Sequence, residues 1–250
     1  MINVRINPVL KYNLYEFKKA VLKFYFILFL IIVVMVPLSI FTKSTQTDLG
    51  IVTVRLNGME LTSMIFLFVA GLNSFKEDFL FFSANGMSRK TQFFGFVAST
   101  IPVVLIMSVI DTVYGTILGV LLDYNSVFTM AYSQYDANVV IVKLATVVWL
   151  ALLYLMVLMI GYFITVLYFR MSKGWKIGVS IAVPMLFLYI LPAMDEMLFS
   201  GRITNAMTKV FNTLMGNGHN PYIAMFTFIV TALVFSILSY SLIRKAEVRE

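Results

Sequence analysis

The sequence predicts an all-α integral membrane protein with six spanning helices and both termini in the cytoplasm. Three observations support this: the composition, the number of long apolar runs and the distribution of Lys and Arg. Of the 250 residues, 60% are hydrophobic and only 12% are charged, whereas a soluble domain is about half apolar and about a quarter charged. The mean hydropathy is +0.92. Because a soluble fold of this size could not cover so much apolar surface with polar groups, we expect the chain to lie in a bilayer.

The apolar runs set the number of predicted spans. A helix needs about 20 apolar residues to cross roughly 30 Å of hydrocarbon. Six runs approach or exceed this length, at residues 22–41, 58–73, 92–121, 141–169, 177–193 and 221–243. The second and fifth are short, and the third and fourth are longer than a bilayer requires, which implies tilt or continuation beyond the membrane. No repeat or linker divides the chain, so residues 1–250 are expected to form one transmembrane domain.

The Lys and Arg residues predict the orientation. Most of them, 14 of 19, fall in the N-terminal segment, two alternate loops and the C-terminal tail: Arg5, Lys11, Lys18, Lys19, Lys23, Lys76, Arg89, Lys90, Arg170, Lys173, Lys176, Arg244, Lys245 and Arg249. The opposite side has Lys43, Arg55, Lys143, Arg202 and Lys209. Since membrane proteins keep excess Lys and Arg on the cytoplasmic side, both termini are predicted to be cytoplasmic in the cell membrane. This accounts for the net charge of +7 without a nucleic-acid partner.

The residues before the first span have an amphipathic pattern. Asn7 can cap a helix and Pro8 suits its first turn. An apolar face then follows at helical spacing, formed by Leu10, Leu14, Phe17 and Val21. The pattern predicts an interfacial helix over residues 7–21 that lies on the inner leaflet. The alternative is a straight extension of the first span, which would expose Leu10 and Leu14 to water.

Residues 74–91 carry strong local signals for a short cytoplasmic helix. Ser74 and Glu77 match a capping box, and Glu77 with Asp78 places negative charge at the positive end of the helix dipole. Asn85-Gly86 is a natural helix stop, and Ser88 can cap the next helix. The aromatic residues of this helix are expected to be exposed: Phe75, Phe79, Phe81 and Phe82. Their surface should contact a second protein or the lipid headgroups.

The loop Asn85-Gly86-Met87-Ser88-Arg89-Lys90-Thr91, between a short helix and a long span, resembles the first cytoplasmic loop of type-2 ABC transporter permeases. In that family the loop forms a coupling helix that docks into a groove of the ATP-binding subunit. The layout is similar as well, with an interfacial (elbow) helix, six spans, cytoplasmic termini and an extracellular connection before the last span, here 194–220. An apolar helical stripe follows in that connection, at Ile203, Met207, Val210 and Leu214. The size is most similar to Gram-positive peptide exporters, including the phenol-soluble modulin exporter and bacteriocin exporters.

This resemblance implies the permease subunit of an ATP-driven exporter that moves an amphipathic or hydrophobic substrate, such as a peptide, by alternating access. It implies two copies of an ATP-binding partner that holds ATP and Mg, and a second permease copy. The residues implied to couple to the ATPase are Phe75, Glu77, Asp78, Phe79, Phe82, Asn85, Gly86, Ser88 and Arg89. Replacing Phe79 or Phe82 by Asp is expected to uncouple transport and leave the fold intact.

The chain lacks the motifs of an enzyme. No G-x-x-x-x-G-K-[ST] phosphate loop occurs in it, so any ATPase must be a separate chain and no cofactor is expected here. With no Cys and a single His, His219 in a turn-forming run, the usual metal ligands and a thiol nucleophile are missing. We therefore predict neither a catalytic nor a metal site.

Charges near the membrane are the remaining candidates for a transport pathway. Glu60 begins the second span and Asp111 lies near the outer end of the third, where each is either a pathway residue or an interfacial, paired residue. Lys143 begins the fourth span and can extend to the interface. Two other kinds of transport protein stay open: an ion-coupled secondary transporter, which normally has carboxylates near the midplane, and the membrane-bound substrate-capture subunit of an importer.

Overall fold

A computed structural model of the chain describes residues 6–44, 57–121 and 124–244. These residues form helices and their connections, with no strand among them. The helices are α1 Ile6–Ser44, α2 Glu60–Asn73, α3 Lys76–Ala84, α4 Arg89–Leu121, α5 Val127–Ala131, α6 Val139–Arg170, α7 Lys173–Met185, α8 Leu191–Phe199, α9 Arg202–Leu214 and α10 Pro221–Arg244. A π-helical turn, Leu186–Ile190, joins α7 to α8, and a 3₁₀ turn, Gly216–Gly218, precedes α10. The predicted all-α class is confirmed.

Four of the described helices are long and apolar enough to cross a membrane: α1, α4, α6 and α10. They correspond to the first, third, fourth and sixth predicted spans and indicate a membrane-embedded protein. At 1.5 Å per residue, α4 with 33 residues and α6 with 32 residues are about 50 Å long. Both exceed the roughly 30 Å of hydrocarbon, as the sequence predicted.

The second and fifth predicted spans are helical but differ from these four. α2 has 14 residues and is therefore about 21 Å long, which is shorter than the hydrocarbon layer. The fifth segment consists of α7, the π-helical turn and α8, which follow one another directly from residue 173 to residue 199. The six-span count and the absolute orientation stay predictions. Four residues of the charge census, Arg5, Arg55, Lys245 and Arg249, lie outside the described residues.

The predicted boundary between an interfacial helix and the first span is wrong, because α1 continues without a break from Ile6 to Ser44. The reason is that α4 covers the apolar face that was expected to lie on lipid. The ring of Phe17 lies 6.2 Å from that of Phe96, and Leu14 packs against the same core. A straight extension therefore does not expose these residues, since protein takes the place of the headgroup layer.

The contacts between helices show their relative directions. Along α1 and α4, Val9 lies against Gly95, and further on Tyr25 bonds to Asp111, so the two helices run parallel. α4 and α6 run antiparallel. Phe96, early in α4, stacks on Tyr162, whereas Asp111, later in α4, bonds to Tyr154, which precedes Tyr162 in α6. These directions agree with an alternating path of the first, third and fourth predicted spans through a membrane.

α6 is the central helix, with α2 and α10 packed along it. Tyr154 near its middle bonds to Glu60 at the start of α2, and Thr165 near its end bonds to Leu72, so α2 and α6 are parallel. Glycine permits their close approach, because a Cβ on Gly161 would lie 2.5 Å from the carbonyl oxygen of Phe68. Small residues at a membrane helix crossing let backbones pack directly.

The predicted connection 194–220 contains the expected short helix, α9. Asp195 lies in α8, and its carboxylate accepts bonds at the start of α9 from the backbone N–H groups of Ile203 at 2.8 Å and Thr204 at 2.7 Å. Met207, Val210 and Leu214 of the predicted apolar stripe are exposed, and Ile203 is half-buried. Most of the stripe is therefore open on the described part of the chain.

Candidate functional site

The α3 region: helix ends

α3 ends where the sequence predicted. Gly86 has φ +69°, its N–H donates to the carbonyl of Ser83 at 3.1 Å, and the N–H of Met87 donates to the carbonyl of Phe82 at 3.0 Å. This pair of bonds is the Schellman motif, which satisfies the last carbonyls of a helix and requires a left-handed residue. Ser88 then caps α4, since its Oγ accepts from the N–H of Thr91 at 3.2 Å. Both predicted helix boundaries are confirmed.

The predicted capping box at the start of α3 is wrong. The N-cap position is Phe75, and no side chain caps this end. The hydroxyl of Ser74 instead donates to the carbonyl of Ala70. Ser74 directly follows α2, so a free carbonyl of that helix, four residues back, lies within reach of its hydroxyl. This bond takes the place of a cap on α3. Glu77 and Asp78 do lie in the first turn of α3, as the dipole argument expected.

Burial of the aromatic residues

The expectation of an exposed aromatic face is also wrong for three of the four residues. Phe75, Phe79 and Phe82 are buried, and only Phe81 is exposed, at 50%. The Phe75 ring lies 5.7 Å from Tyr162 in an edge-to-face arrangement. The sequence shows that one face of α3 is apolar but does not show whether this chain or another covers it. In the structure α6 covers Phe75 and Phe79, and Tyr12 of α1 lies against Phe82. Because both rings are buried, we expect Phe79 or Phe82 replaced by Asp to destabilise the fold, in contrast to the prediction from the sequence.

The end of α6 completes this aromatic packing. Phe169 lies 5.4 Å from Phe75 and 5.5 Å from Phe79, ring centre to ring centre. Phe81, on the other side of α3, stacks on Tyr12 of α1 at 5.3 Å. α3 is thus held between the N-terminal part of α1 and the C-terminal end of α6. The predicted orientation places both parts on the cytoplasmic side.

Polar ties between the loop and the bundle

Polar side chains fix the loop after α3 to the bundle. Gln92 Nε2 donates to the carbonyl of Met87 at 3.0 Å and lies 3.3 Å from the hydroxyl of Ser83. Arg89 Nη1 donates to the carbonyl of Arg244 at 2.9 Å, so a side chain predicted to face an ATPase caps the last turn of α10. Gln92 was missed by sequence reasoning, and an amide one turn into a long apolar helix was the signal that could have revealed it.

An acidic cleft lies beside α3, between α1 and α2. It has a volume of about 340 Å³, and three carboxylates line it, those of Glu16, Glu77 and Asp78. Burial, together with the charges of Glu16 and Glu77, raises the pKa of Asp78 to about 6. Among the described residues, no group of three His, Cys, Asp or Glu is placed to hold a metal ion.

The Asp111 and Glu60 cluster

The two pathway candidates lie close together in one buried polar cluster. Asp111 is 6% exposed and Glu60 4%. Tyr154 joins them, because its hydroxyl lies 2.5 Å from Asp111 Oδ2 and 3.3 Å from the backbone carbonyl of Glu60. Tyr25 donates to Asp111 Oδ1 at 2.8 Å, and Tyr124 donates to Glu60 Oε2 at 2.6 Å.

From the sequence, Asp111 is either a pathway residue or an interfacial, paired residue. The structure shows its carboxylate hydrogen-bonded to Tyr25 and Tyr154, and a pathway role stays a prediction. The partners Tyr25, Tyr124 and Tyr154 were not singled out. Tyrosines inside apolar runs were the available signal, because a phenol needs a hydrogen-bond partner when it is buried. Which tyrosine meets which carboxylate depends on helix packing and could not be read from the sequence.

Comparison with known proteins

No protein-family model matches the chain, and neither a curated protein nor a solved structure matches it. The class that the fold defines is an all-helical membrane protein in which at least four helices have the length and apolar character of spans.

Proposed function

We propose that the chain is the permease subunit of an ATP-driven ABC exporter, and that α3 is the element through which a separate ATPase subunit drives it. The resemblance of the loop 85–91 supports the family, and the missing phosphate loop supports a separate ATPase chain that binds ATP and Mg. The likeness to Gram-positive peptide exporters supports an amphipathic peptide as the substrate.

The observation that carries this proposal is the way α3 is anchored. Its inner face is buried through Phe75, Phe79 and Phe82, and its following loop is bonded to α10 through Arg89. A displacement of α3 would therefore be passed to α6, α4 and α10 together, since close-packed side chains transmit strain. A rigidly held short helix suits a coupling element better than a mobile loop would.

The outer face of α3 is the part available to a partner. Lys76, Glu77, Phe81, Ala84 and Asn85 are exposed. A half-exposed aromatic among polar residues is the usual composition of an interface anchor with a polar rim. The coupling role is accordingly assigned to this face, while the buried phenylalanines hold the helix in place.

A second copy of the chain is part of the proposal, because six predicted spans form only half of the usual pathway. On α7, the apolar side chains of Trp175, Ile177 and Ile181 are exposed. This helix therefore has apolar surface that can contact lipid or a second permease.

The test is co-purification from the native cells. The tagged chain, extracted in detergent, should bring an ATP-binding protein with it, and amphipathic peptides should stimulate ATP hydrolysis by the complex. Lys76→Glu on the exposed face of α3 should weaken recovery of that protein. Lys209→Glu on α9, also at an exposed position, makes the same charge change at the predicted extracellular side and should have no effect. Recovery of no ATPase, or equal recovery with both variants, would overturn the proposal.

One observation favours a second candidate function, the ion-coupled transporter. Asp111 and Glu60 are both buried, and Tyr154 contacts both residues. Buried carboxylates in membrane helices are typical of proton or ion relays. In proteoliposomes, transport driven by an imposed proton gradient without ATP, and lost in Asp111→Asn, would favour this function over the ABC exporter.

A further inference from the structure

A polar cavity of about 290 Å³ lies beside the Asp111 and Glu60 cluster. The end of α4, the start of α6 and the short segment around α5 enclose it, and Glu60 forms part of its wall. Its volume is at the lower end of the range for ligand sites, about 300–1,000 Å³. The cavity therefore has the size for a small molecule or a headgroup and is too small for a peptide.

Glu60 presents one carboxylate oxygen to this cavity. Its Oε2 accepts from Tyr124 at 2.6 Å and lies 3.4 Å from the N–H of Val127. Its Oε1 has no hydrogen bond within the described part of the chain, and it lies on the side of Gly115, where an added Cβ would be 3.5 Å away. A carboxyl oxygen in a largely buried wall favours a ligand that donates to it, because leaving such an oxygen unpaired is costly.

The threonines of the wall add acceptors and no donors. The hydroxyl of Thr112 donates to the carbonyl of Ser108 at 2.8 Å, and that of Thr116 donates to the carbonyl of Thr112 at 2.7 Å. Thr146 on α6 likewise donates to Val142 at 2.8 Å. Each hydroxyl has one proton and two lone pairs, so with the proton used inside the helix it offers only lone pairs to the cavity. These three threonines thus suit their part of the wall to a group with N–H donors, whereas Asn125 and Ser126, which also line the cavity, can donate as well as accept.

Lys143 supplies the opposite charge at the rim. It lines the cavity, is exposed, and forms no ion pair with any acidic side chain of the described residues. A lysine ammonium is a point charge that pairs with carboxylate or phosphate. The cavity therefore combines a carboxylate and acceptors inside with a cation at its mouth.

We propose that this cavity binds a zwitterion, with a primary ammonium group on Glu60 Oε1 and an anionic group on Lys143. Two sources have this chemistry: a free small zwitterion such as glycine or phosphoethanolamine, and the headgroup of phosphatidylethanolamine. A trimethylammonium group has no N–H donor, so phosphocholine should be rejected although its charges are the same. This site does not depend on the ABC assignment.

The binding test uses the full-length chain purified in detergent. Glycine, phosphoethanolamine and phosphocholine are titrated by calorimetry. Native mass spectrometry of the chain from nanodiscs then compares retained phosphatidylethanolamine with phosphatidylcholine. Binding of a free primary-amine zwitterion identifies a soluble ligand, whereas selective retention of phosphatidylethanolamine alone identifies the lipid headgroup. Phosphocholine or phosphatidylcholine binding equally well, or no binding in either arm, would overturn the proposal.

Two variants locate the ligand. Gly119 lines the cavity, and a Cβ there meets only the carbonyl oxygen of Tyr124, at 4.0 Å, so Gly119→Leu should fill the space without a clash and abolish binding. Lys143→Met should weaken binding by about tenfold, which corresponds to 1.4 kcal/mol. Gly178→Leu on α7, where a Cβ meets nothing within 4 Å, is the matched control. Unchanged binding in Gly119→Leu would show that the ligand lies elsewhere.

Discussion

The hydroxyl of Tyr154 on α6 donates a 2.5 Å hydrogen bond to Asp111 on α4. The second oxygen of the same carboxylate accepts from Tyr25 on α1, so one acidic side chain joins three helices. Each phenol has a single proton, and both protons point to Asp111 when it is ionised. Hydrogen bonds to charged groups contribute about 1.5–3 kcal/mol each, which makes this carboxylate a main polar contact among the long helices.

Asp111→Ala should lower the free energy of unfolding by about 2–4 kcal/mol, because both tyrosines lose their charged acceptor. Asp111→Asn should cost less, since the amide oxygen still accepts one bond. Detergent-micelle unfolding by SDS measures both. In a double-mutant cycle with Tyr154→Phe, the two losses should fall short of additivity by about 0.5–3 kcal/mol. Strict additivity would mean that the two side chains do not interact.

The crossing of α2 and α6 leads to a second prediction. Gly161→Ala should destabilise the protein by about 1–3 kcal/mol, since its Cβ would be forced against the backbone of α2 and the helices must separate. Gly178→Ala has open space around its Cβ and should leave stability equal or raise it by up to about 1 kcal/mol through helix propensity. Thermal unfolding of both variants checks the difference. Equal midpoints would show that the crossing is looser than described.

The long helices could be predicted from the sequence because a run of about twenty apolar residues has few stable structures other than a membrane-spanning helix. The stop at Asn85-Gly86 and the cap at Ser88 were also predictable, since they depend only on neighbouring residues. Ser74 was misassigned because two helices compete for its hydroxyl, and the sequence does not show which carbonyl is nearer.

The helices that pack against these side chains could not be predicted from the sequence, for a different reason. Phe79 in α3 and Leu14 in the N-terminal part of α1 have apolar patterns that fit lipid, a partner protein or the same chain equally well. The covering helices, α6 and α4, are distant in sequence, so only the packed fold decides among them. The pairing of Asp111 with Tyr154 depends on the same packing.

The left-handed conformation at Gly86 leads to a third prediction. Its φ is +69°, and an added Cβ would meet no atom within 4 Å, so Gly86→Ala introduces backbone strain without a clash. The expected loss of stability is about 1–2 kcal/mol. Gly86→Asn should lose less, because Asn tolerates this region better. A larger effect of Asn than of Ala, measured by thermal unfolding, would contradict the turn geometry.

The two sides of α3 should respond differently to truncation. Phe79→Ala removes a ring that is 2% exposed and should cost about 3–5 kcal/mol. Phe81→Ala removes a half-exposed ring and should cost clearly less, while still weakening binding of the proposed ATPase. SDS unfolding gives the first quantity and co-purification the second. If Phe81→Ala were the more destabilising variant, the assignment of inner and outer faces would be reversed.

Asp78 makes stability depend on pH in a defined direction. Burial, with the charges of Glu16 and Glu77, raises its pKa from 3.8 to about 6, so the folded protein binds this proton more tightly than the unfolded chain. Stability should therefore fall as the pH rises from about 4 through 6 and stay lower above that range. Asp78→Asn removes this loss, so its thermal midpoint should exceed that of the unmodified protein at pH 8 and approach it at pH 4.5. Glu196→Gln, at an exposed position of α8, is the control and should show no such pH-dependent gain. A lower midpoint for Asp78→Asn at pH 8 would show that the charge at the start of α3 stabilises the helix more than its burial costs.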